Sequence, residues 1–231
     1  MTARDDVLAA VRSGLGRGAV SDAVAAELTA RVATHRRNLI PARAAALEPA
    51  ARLRLFVDMA EAVQTTVARV SDAGDVPGEV AGYLAAENLP AELAMAPDPA
   101  LDALPWDARP LLRIRRGKAS PEDAVSLTPC LAAVAETGTL MLMSGERTPT
   151  TLNFLPDTHI VVVRSGQVVA TYEDGWDLLR ARGALPRTVN FITGPSRTGD
   201  IEQRIELGAH GPRRLHVILI DDGASEADGE R

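Results

Sequence analysis

Cysteine occurs once in the 231 residues, at position 130; lysine occurs once, at position 118; and aromatic residues make up only 3%. A lone thiol can neither close a disulfide within the chain nor supply the thiolates that hold an iron-sulfur cluster, and in an apolar segment Cys130 reads as a small buried hydrophobe. Any lysine chemistry rests on Lys118, which lies in Gly117-Lys118-Ala119-Ser120, one residue out of register for a phosphate loop. The shortage of aromatics argues against a stacking platform for single-stranded nucleic acid and leaves the core to Leu, Val, Ile and Ala. With 25 basic against 31 acidic residues, a net charge of −6 and no basic block, the chain is not built for a phosphate backbone. Glu136 interrupts the longest apolar region, 124–143, so no stretch reaches transmembrane length. Asp5 and Asp6 stand where a signal peptide would need an apolar core. The expected setting is the cytoplasm, away from membranes.

At 231 residues the chain can bury one substantial core, hiding roughly 70 to 75% of its unfolded surface. One domain with an N-terminal elaboration is expected. Val7, Leu8, Val11 and Leu15 share a helical face in segment 3–15, which glycines at 14, 16 and 18 then end. Segments 22–37 and 50–63 carry two further helical patterns. Together they define a helical region, 1–64, packing on or beside the core. From residue 65 short apolar runs alternate with helical segments. Runs 66–70, 92–96, 111–115 and 124–127 predict strands, and 77–87 a helix with Pro77 in its first turn. Thr128 as N-cap and Pro129 at the first helical position predict a helix to about 135. Runs 140–143, 160–163, 189–193 and 217–220 are near-continuously apolar, as fully buried parallel strands are. Helical segments at 150–154, 173–182 and 199–207 lie between them. The pattern predicts a wound, mostly parallel α/β sheet over 65–222, followed by a disordered acidic tail, 223–231.

Some motif-like features carry no chemistry. Gly14-Leu15-Gly16-Arg17-Gly18-Ala19 has the letters of a dinucleotide fingerprint but follows a helix where a strand is required. His35, His159, His210 and His216 make no pair at zinc-site spacing, and no Gly-x-Ser-x-Gly elbow occurs. His159 and His216, at strand entrances, read as edge residues.

Four segments could carry chemistry. In Thr193-Gly194-Pro195-Ser196-Arg197-Thr198, followed by Gly199-Asp200-Ile201-Glu202, a rigid turn leaves a buried strand, and Ser196, Arg197 and Thr198 offer two hydroxyls and a planar cation to a carboxylate or phosphate at the expected carboxyl edge. The alternative is a helix cap, with Arg197 paired to Asp200 or Glu202. In Glu136-Thr137-Gly138-Thr139 a desolvated Glu136 is a candidate base or nucleophile, with Thr137 and Thr139 beside it. Its place before a strand is awkward unless the sheet is mixed, and a helix-ending turn around Gly138 would make it structural. His210, in a glycine-flanked loop, can shuttle a proton or recognise an anion, or simply be solvated. Ser144-Gly145-Glu146-Arg147-Thr148 adds Arg147 as a possible second cation.

Taken in order, residues 135–139 before an apolar strand, Leu155-Pro156 with His159-Ile160-Val161, Gly194 to Thr198 with Asp200-Ile201-Glu202, Gly208 to Pro212, and Leu215-His216-Val217-Ile218-Leu219 resemble the LUD domain family. The resemblance is strong over 124–221 and loose before it. It implies a sheet akin to the ribose-5-phosphate isomerase, glucosamine-phosphate isomerase and CoA-transferase group, and a role beside iron-sulfur partner proteins in oxidising L-lactate to pyruvate. It brings no established catalytic residue. With no thiolate set and no credible dinucleotide fingerprint, the electron-carrying clusters are expected on the partners and no cofactor on this chain. Against this accessory-subunit reading stand a stand-alone enzyme for a sugar phosphate or acyl-CoA, with Glu136 as base and Arg197 on the anion, and a ligand sensor without catalysis.

Overall fold

Amphipathic helices at one end and alternating strands and helices beyond them form two units in the computed structural model, which describes residues 2–16, 18–37, 39–201 and 204–221. The first unit ends at Leu39. It holds α1 (Ala3–Gly14) and α2 (Asp22–Thr34). Thr2 caps α1 through a reciprocal pair: its hydroxyl accepts from Asp5 N, and the Asp5 carboxylate accepts from Thr2 N at 2.8 Å. Neither helix has a buried residue.

The second unit begins at Ile40. Its first elements are α3 (Pro49–Ala62), β1 (Thr66–Val70), α4 (Val76–Ala86), β2 (Glu92–Met95), α5 (Pro99–Asp102), β3 (Arg113–Arg116) and β4 (Val125–Pro129). There follow β5 (Ala132–Val134), β6 (Thr139–Met143), α6 (Thr151–Phe154), β7 (Thr158–Arg164), β8 (Val168–Val169) and α7 (Tyr172–Ala181). The chain continues through β9 (Val189–Ile192), β10 (Arg197–Ile201), β11 (Arg204–Leu207) and β12 (Arg214–Ile220). Among the described residues six strands form one parallel sheet, ordered β1-β12-β7-β4-β2-β3. A second sheet, β8-β5-β6-β9, is mixed, and β10 and β11 form a separate antiparallel pair.

The apolar runs of β7 and β12 follow from burial on both faces. Ile160, Val162, Ile218 and Ile220 pack with α4 and α5 on one side. Val161, Val163, Leu215, Val217 and Leu219 pack on the other with Leu53, Phe56 and Ala60 of α3 and with Leu140 and Leu142 of the second sheet. The far face of that sheet is covered by α7 through Leu179 and Trp176. The fold is therefore α/β around a parallel sheet, as the alternation predicts, and α3 is part of the core rather than a companion of α1 and α2.

Three expectations are corrected. Segment 129–135 is not a helix: β4 runs through Pro129, and β5 pairs with both β6 and β8. Pro129 ends its strand, where a missing N–H costs least, and the fully buried Ala132 to Ala135 favour sheet packing over the local capping signal. Segments 140–143 and 189–193 are strands, but they pair antiparallel with each other in the second sheet. Segment 199–207 is not a helix either. It contributes to the β10–β11 pair, held at its base where Ser196 N donates to Pro212 O at 2.8 Å and Gly208 N donates to Ser196 O at 3.0 Å. The tail 223–231 and Glu202 lie outside the described residues, as does the side chain of Asp200.

Two glycines let the second sheet approach α3. Gly138 has φ +66°, and a Cβ there would fall within 2.6 Å of Ala60 Cα and Met59 C. Gly194 has φ +76°, and its Cβ would lie 2.5 Å from Val63 O. Both positions combine left-handed backbone with backbone on the far side, which cannot yield as a flexible side chain would. Gly138→Ala and Gly194→Ala should each destabilise the fold by about 3 kcal/mol or more, measured by urea unfolding. Gly199→Ala, with nothing within 4 Å of its Cβ, should stay within about 1 kcal/mol of the parent.

Candidate functional site

A cleft of about 260 Å³ opens where the turn after β9 meets the loop before β12. Thr193 to Arg197 form one wall and His210 to Pro212 another. Asn153 and Phe154 of α6 close one end, and His159 and Leu215, near the starts of β7 and β12, lie at the inner side. The cleft thus sits at the amino edge of the parallel sheet, which corrects the expectation of a carboxyl-edge site. The second sheet is the reason: β9 runs antiparallel to β6, and its end is delivered beside the strand starts.

Ser196 joins the walls. Besides its two backbone bonds, its Oγ accepts from His210 N at 3.3 Å, which ties the Gly-Pro-Ser turn to the His210 loop. Arg197 lines the cleft, is exposed, and donates through one guanidinium nitrogen to Val63 O, the carbonyl at the end of α3. A helix end leaves such carbonyls without intrahelical partners, and the bond holds the guanidinium against the fold.

Glu136 is elsewhere. It is 6% exposed, and its Oε1 accepts from Tyr172 N at 2.9 Å. That N–H opens α7, where a carboxylate is favoured both by the unsatisfied donors and by the helix dipole. Glu136 does not line the cleft; its carboxylate fixes α7 to the second sheet. Thr137 and Thr139 build a hydroxyl cluster around Tyr172. Thr137 Oγ1 donates to the Tyr172 hydroxyl at 2.9 Å, Thr139 Oγ1 is 2.8 Å from it, and Thr139 Oγ1 reaches Thr193 Oγ1 at 2.6 Å. Thr193 is a cleft residue, so this segment supports the cleft wall from behind.

The remaining candidates divide. Ser196, Arg197 and His210 are together in the cleft; Thr198 is buried in β10 and does not line it. Arg147 is exposed in the turn after β6, at the edge of the second sheet where Ser144 N meets Thr188 O, whereas Thr139 meets Thr193 at the other edge. It is therefore not brought to Arg197, and the expectation of a second cation is corrected. His159 and His216 are not edge residues but are 0% and 4% exposed. Burial lowers the His159 pKa to about 3, and its Nε2 lies 2.8 Å from Thr128 Oγ1. His216 stacks on Tyr83 with ring centroids 3.9 Å apart, and its Nδ1 lies 2.8 Å from Thr66 Oγ1. The Glu79 carboxylate approaches His216 Nε2 at 3.7 Å, too far for a hydrogen bond; burial lowers the His216 pKa to about 4, outweighing the opposing hydrogen bond with the Thr66 backbone. The Cys130 thiol is pushed up to about 12 by burial, in keeping with a core residue.

The model of the LUD domain matches residues 53–220. The chain belongs to the LUD domain family. Lactate utilization protein C of Deinococcus radiodurans is 43% identical over 100 residues, covering 42% of this chain and 46% of that protein. Lactate utilization protein C of Bacillus subtilis is 33% identical over 109 residues, covering 46% and 45%. The chain thus matches about half the length of these curated relatives. A solved DUF162 family protein from Deinococcus radiodurans is 29% identical with a TM-score of 0.58, covering 75% of this chain and 99% of that one. The LUD domain match begins inside α3, consistent with that helix being built into the core.

Sequence reasoning misses Asn153, His159 and Tyr172 as parts of the cleft and its support. His159 stands within the family-like text, but a lone histidine before an apolar run carries no sign of burial. Tyr172 carried no signal.

Two measurements follow from this geometry. Glu136→Gln keeps an acceptor for Tyr172 N and should cost about 1 kcal/mol or less, while Glu136→Ala strands the helix donor and should cost about 1–3 kcal/mol, both read from urea unfolding. Stability should also fall with acidification. Between their folded pKa values of about 3 and 4 and the ordinary 6.5, His159 and His216 bind more protons unfolded than folded. Their contribution is therefore complete above about pH 6.5 and declines toward acid, by on the order of 1–2 kcal/mol for each by about pH 5. His216→Phe, which keeps a ring on Tyr83, should remove about half of this pH dependence; an unchanged profile would contradict the assignment.

Proposed function

We propose that this chain is an accessory LUD-domain subunit of a cytosolic system oxidising L-lactate to pyruvate. It recognises a small carboxylate in the cleft and docks to partner proteins that carry the iron-sulfur clusters. The observation that carries the reading is the joining of Ser196, Arg197 and His210 in one cleft. A guanidinium fixed by its bond to Val63 O has further N–H groups for a carboxylate, and the geometry favours paired charge-assisted bonds. The names of the relatives supply the metabolic context. The single cysteine leaves cluster ligation to other chains.

The docking surface in this reading is the first unit. Val7, Val11 and Leu15 on and just beyond α1, and Val24, Leu28 and Val32 on α2, recur every four residues and are 45% to 72% exposed. Apolar stripes of that kind need a cover. The stand-alone enzyme reading requires Glu136 beside Arg197, and the carboxylate instead serves the start of α7.

The test uses Arg197. Arg197→Lys and Arg197→Ala should both weaken binding of L-lactate and pyruvate, by about 1.5–3 kcal/mol, because an ammonium cannot reproduce the planar fork. Each should also lose about 1 kcal/mol of stability from the bond to Val63 O. Calorimetric titration and melting separate the two effects. Unchanged affinity in both variants would remove Arg197 from ligand recognition, and lactate-dependent electron flow that is undiminished without this chain would defeat the subunit reading.

A further inference from the structure

The cleft that holds Arg197 also holds an aromatic ring left open to solvent. The chain has three phenylalanines. Phe56 is fully buried in the core, whereas Phe154 and Phe191 are 41% and 37% exposed and both line the cleft. Phe191 has neighbours for its ring, because Tyr172 and Trp176 of α7 each lie with centroids 5.5 Å from it. Phe154 has no ring partner among the described residues. A single exposed apolar side chain is ordinary on a protein surface, so its place decides its meaning. The segment that carries it is pinned: Ser126 Oγ donates to Leu152 O at 2.6 Å, Ala119 N donates to Thr151 Oγ1 at 3.1 Å, and Leu152 and Asn153 are buried. The ring is thereby held beside Gly211, where a Cβ would lie 3.6 Å from Phe154 Cδ1 and 3.6 Å from Ser196 Cβ. Gly211 lacks the positive φ of Gly194 and Gly208, so its backbone does not call for glycine. The missing side chain instead leaves room between the ring and Ser196, next to the residue that carries the guanidinium.

We infer that Phe154 is the specificity-determining residue of the cleft, and that the site takes a carboxylate carrying an apolar substituent of aromatic size. The substituent packs on the Phe154 ring over Gly211 while the carboxylate pairs with Arg197. This deepens the carboxylate-recognition part of the proposed function and rests on it. Small-molecule sites combine apolar, often aromatic, walls with a few polar groups that fix orientation. Here Phe154, Ile192, Pro212 and Leu215 supply the apolar side of the lining, and Arg197 and His210 the exposed polar side. Size points the same way. The volume is about 260 Å³, and the six non-hydrogen atoms of a three-carbon hydroxy acid, each granted the roughly 30 Å³ of a water molecule, leave part of it empty. A methyl group would also leave most of the exposed ring in water. An aryl group covers it, and paired aromatic rings gain beyond the area they bury.

The experiment titrates the full chain calorimetrically with propionate and 3-phenylpropionate, which share the carboxylate and differ by a phenyl group. 3-Phenylpropionate should bind about tenfold tighter or better, as burial of part of a ring allows. Phe154→Ala should remove that preference and leave propionate affinity unchanged, with a melting temperature close to the parent's because the ring is exposed. Arg197→Ala should weaken both acids by a similar factor. Gly211→Leu reads the same space from the opposite wall: its side chain should cost 3-phenylpropionate about tenfold in affinity and spare propionate. Equal affinity for the two acids in the unsubstituted chain, or a phenyl preference that survives Phe154→Ala, overturns the inference and leaves the carboxylate reading standing. Failure of both acids to bind the unsubstituted chain overturns the carboxylate reading and this inference with it.

Discussion

The last turn of α3 is the point on which the second sheet and the cleft both depend. Gly138, at the start of β6, packs directly on the backbone of Met59 and Ala60, and Gly194, after β9, packs on the carbonyl of Val63. These two turns are distant in sequence but are brought together because β6 and β9 pair antiparallel, with Leu140 opposite Ile192. A side chain at either glycine would push the sheet away from the helix and from the face of β7 and β12 that Phe56 and Ala60 cover. Arg197 completes the arrangement by donating to the same Val63 carbonyl. One helix end therefore sets the position of the turn that forms the cleft wall.

That arrangement explains why the cleft is at the amino edge of the parallel sheet. In open parallel sheets the usual crevice lies beyond the strands' carboxyl ends, where helix N-termini supply donors. Here the β9 end and the His210 loop meet at the starts of β7 and β12, so in the proposed reading anion recognition falls to side chains. Arg197 and His210 are the exposed basic side chains in the cleft lining, and Ser196 locks the segments that carry them together. The Thr137, Thr139, Tyr172 and Thr193 hydroxyls stiffen the same wall from the second sheet.

Much of this fold is legible in the sequence where burial is two-sided and continuous. The runs of β7 and β12 announce themselves because both faces are apolar. Reading fails where partners decide. Pro129 after Thr128 looks like a helix start, and only pairing with β6 and β8 makes Ala132 to Val134 a strand. Gly199 to Leu207 looks helical by composition, and only the bonds of Ser196 to 208 and 212 show a hairpin base. In the site, the Gly-Pro-Ser-Arg turn and His210 are legible as chemistry-bearing loops. The glycines are legible as turn formers but not as close-contact points, because the backbone they touch lies more than 70 residues away for Gly138 and more than 120 for Gly194.

The two buried histidines show how the same residue type serves two ends of one design. They enter neighbouring strands at the amino edge, but His159 shares the face of Val161 and Val163, whereas His216 shares that of Ile218 and Ile220. On the second face α4 supplies Tyr83, whose ring covers the imidazole, and the cost of an unfilled Nε2 is offset by stacking. On the first face no ring stacks on His159 among the described residues; Thr128 satisfies Nε2 and the cleft lies beside it. Both histidines thus belong to the core, His216 held by the ring of Tyr83 and His159 by the hydroxyl of Thr128.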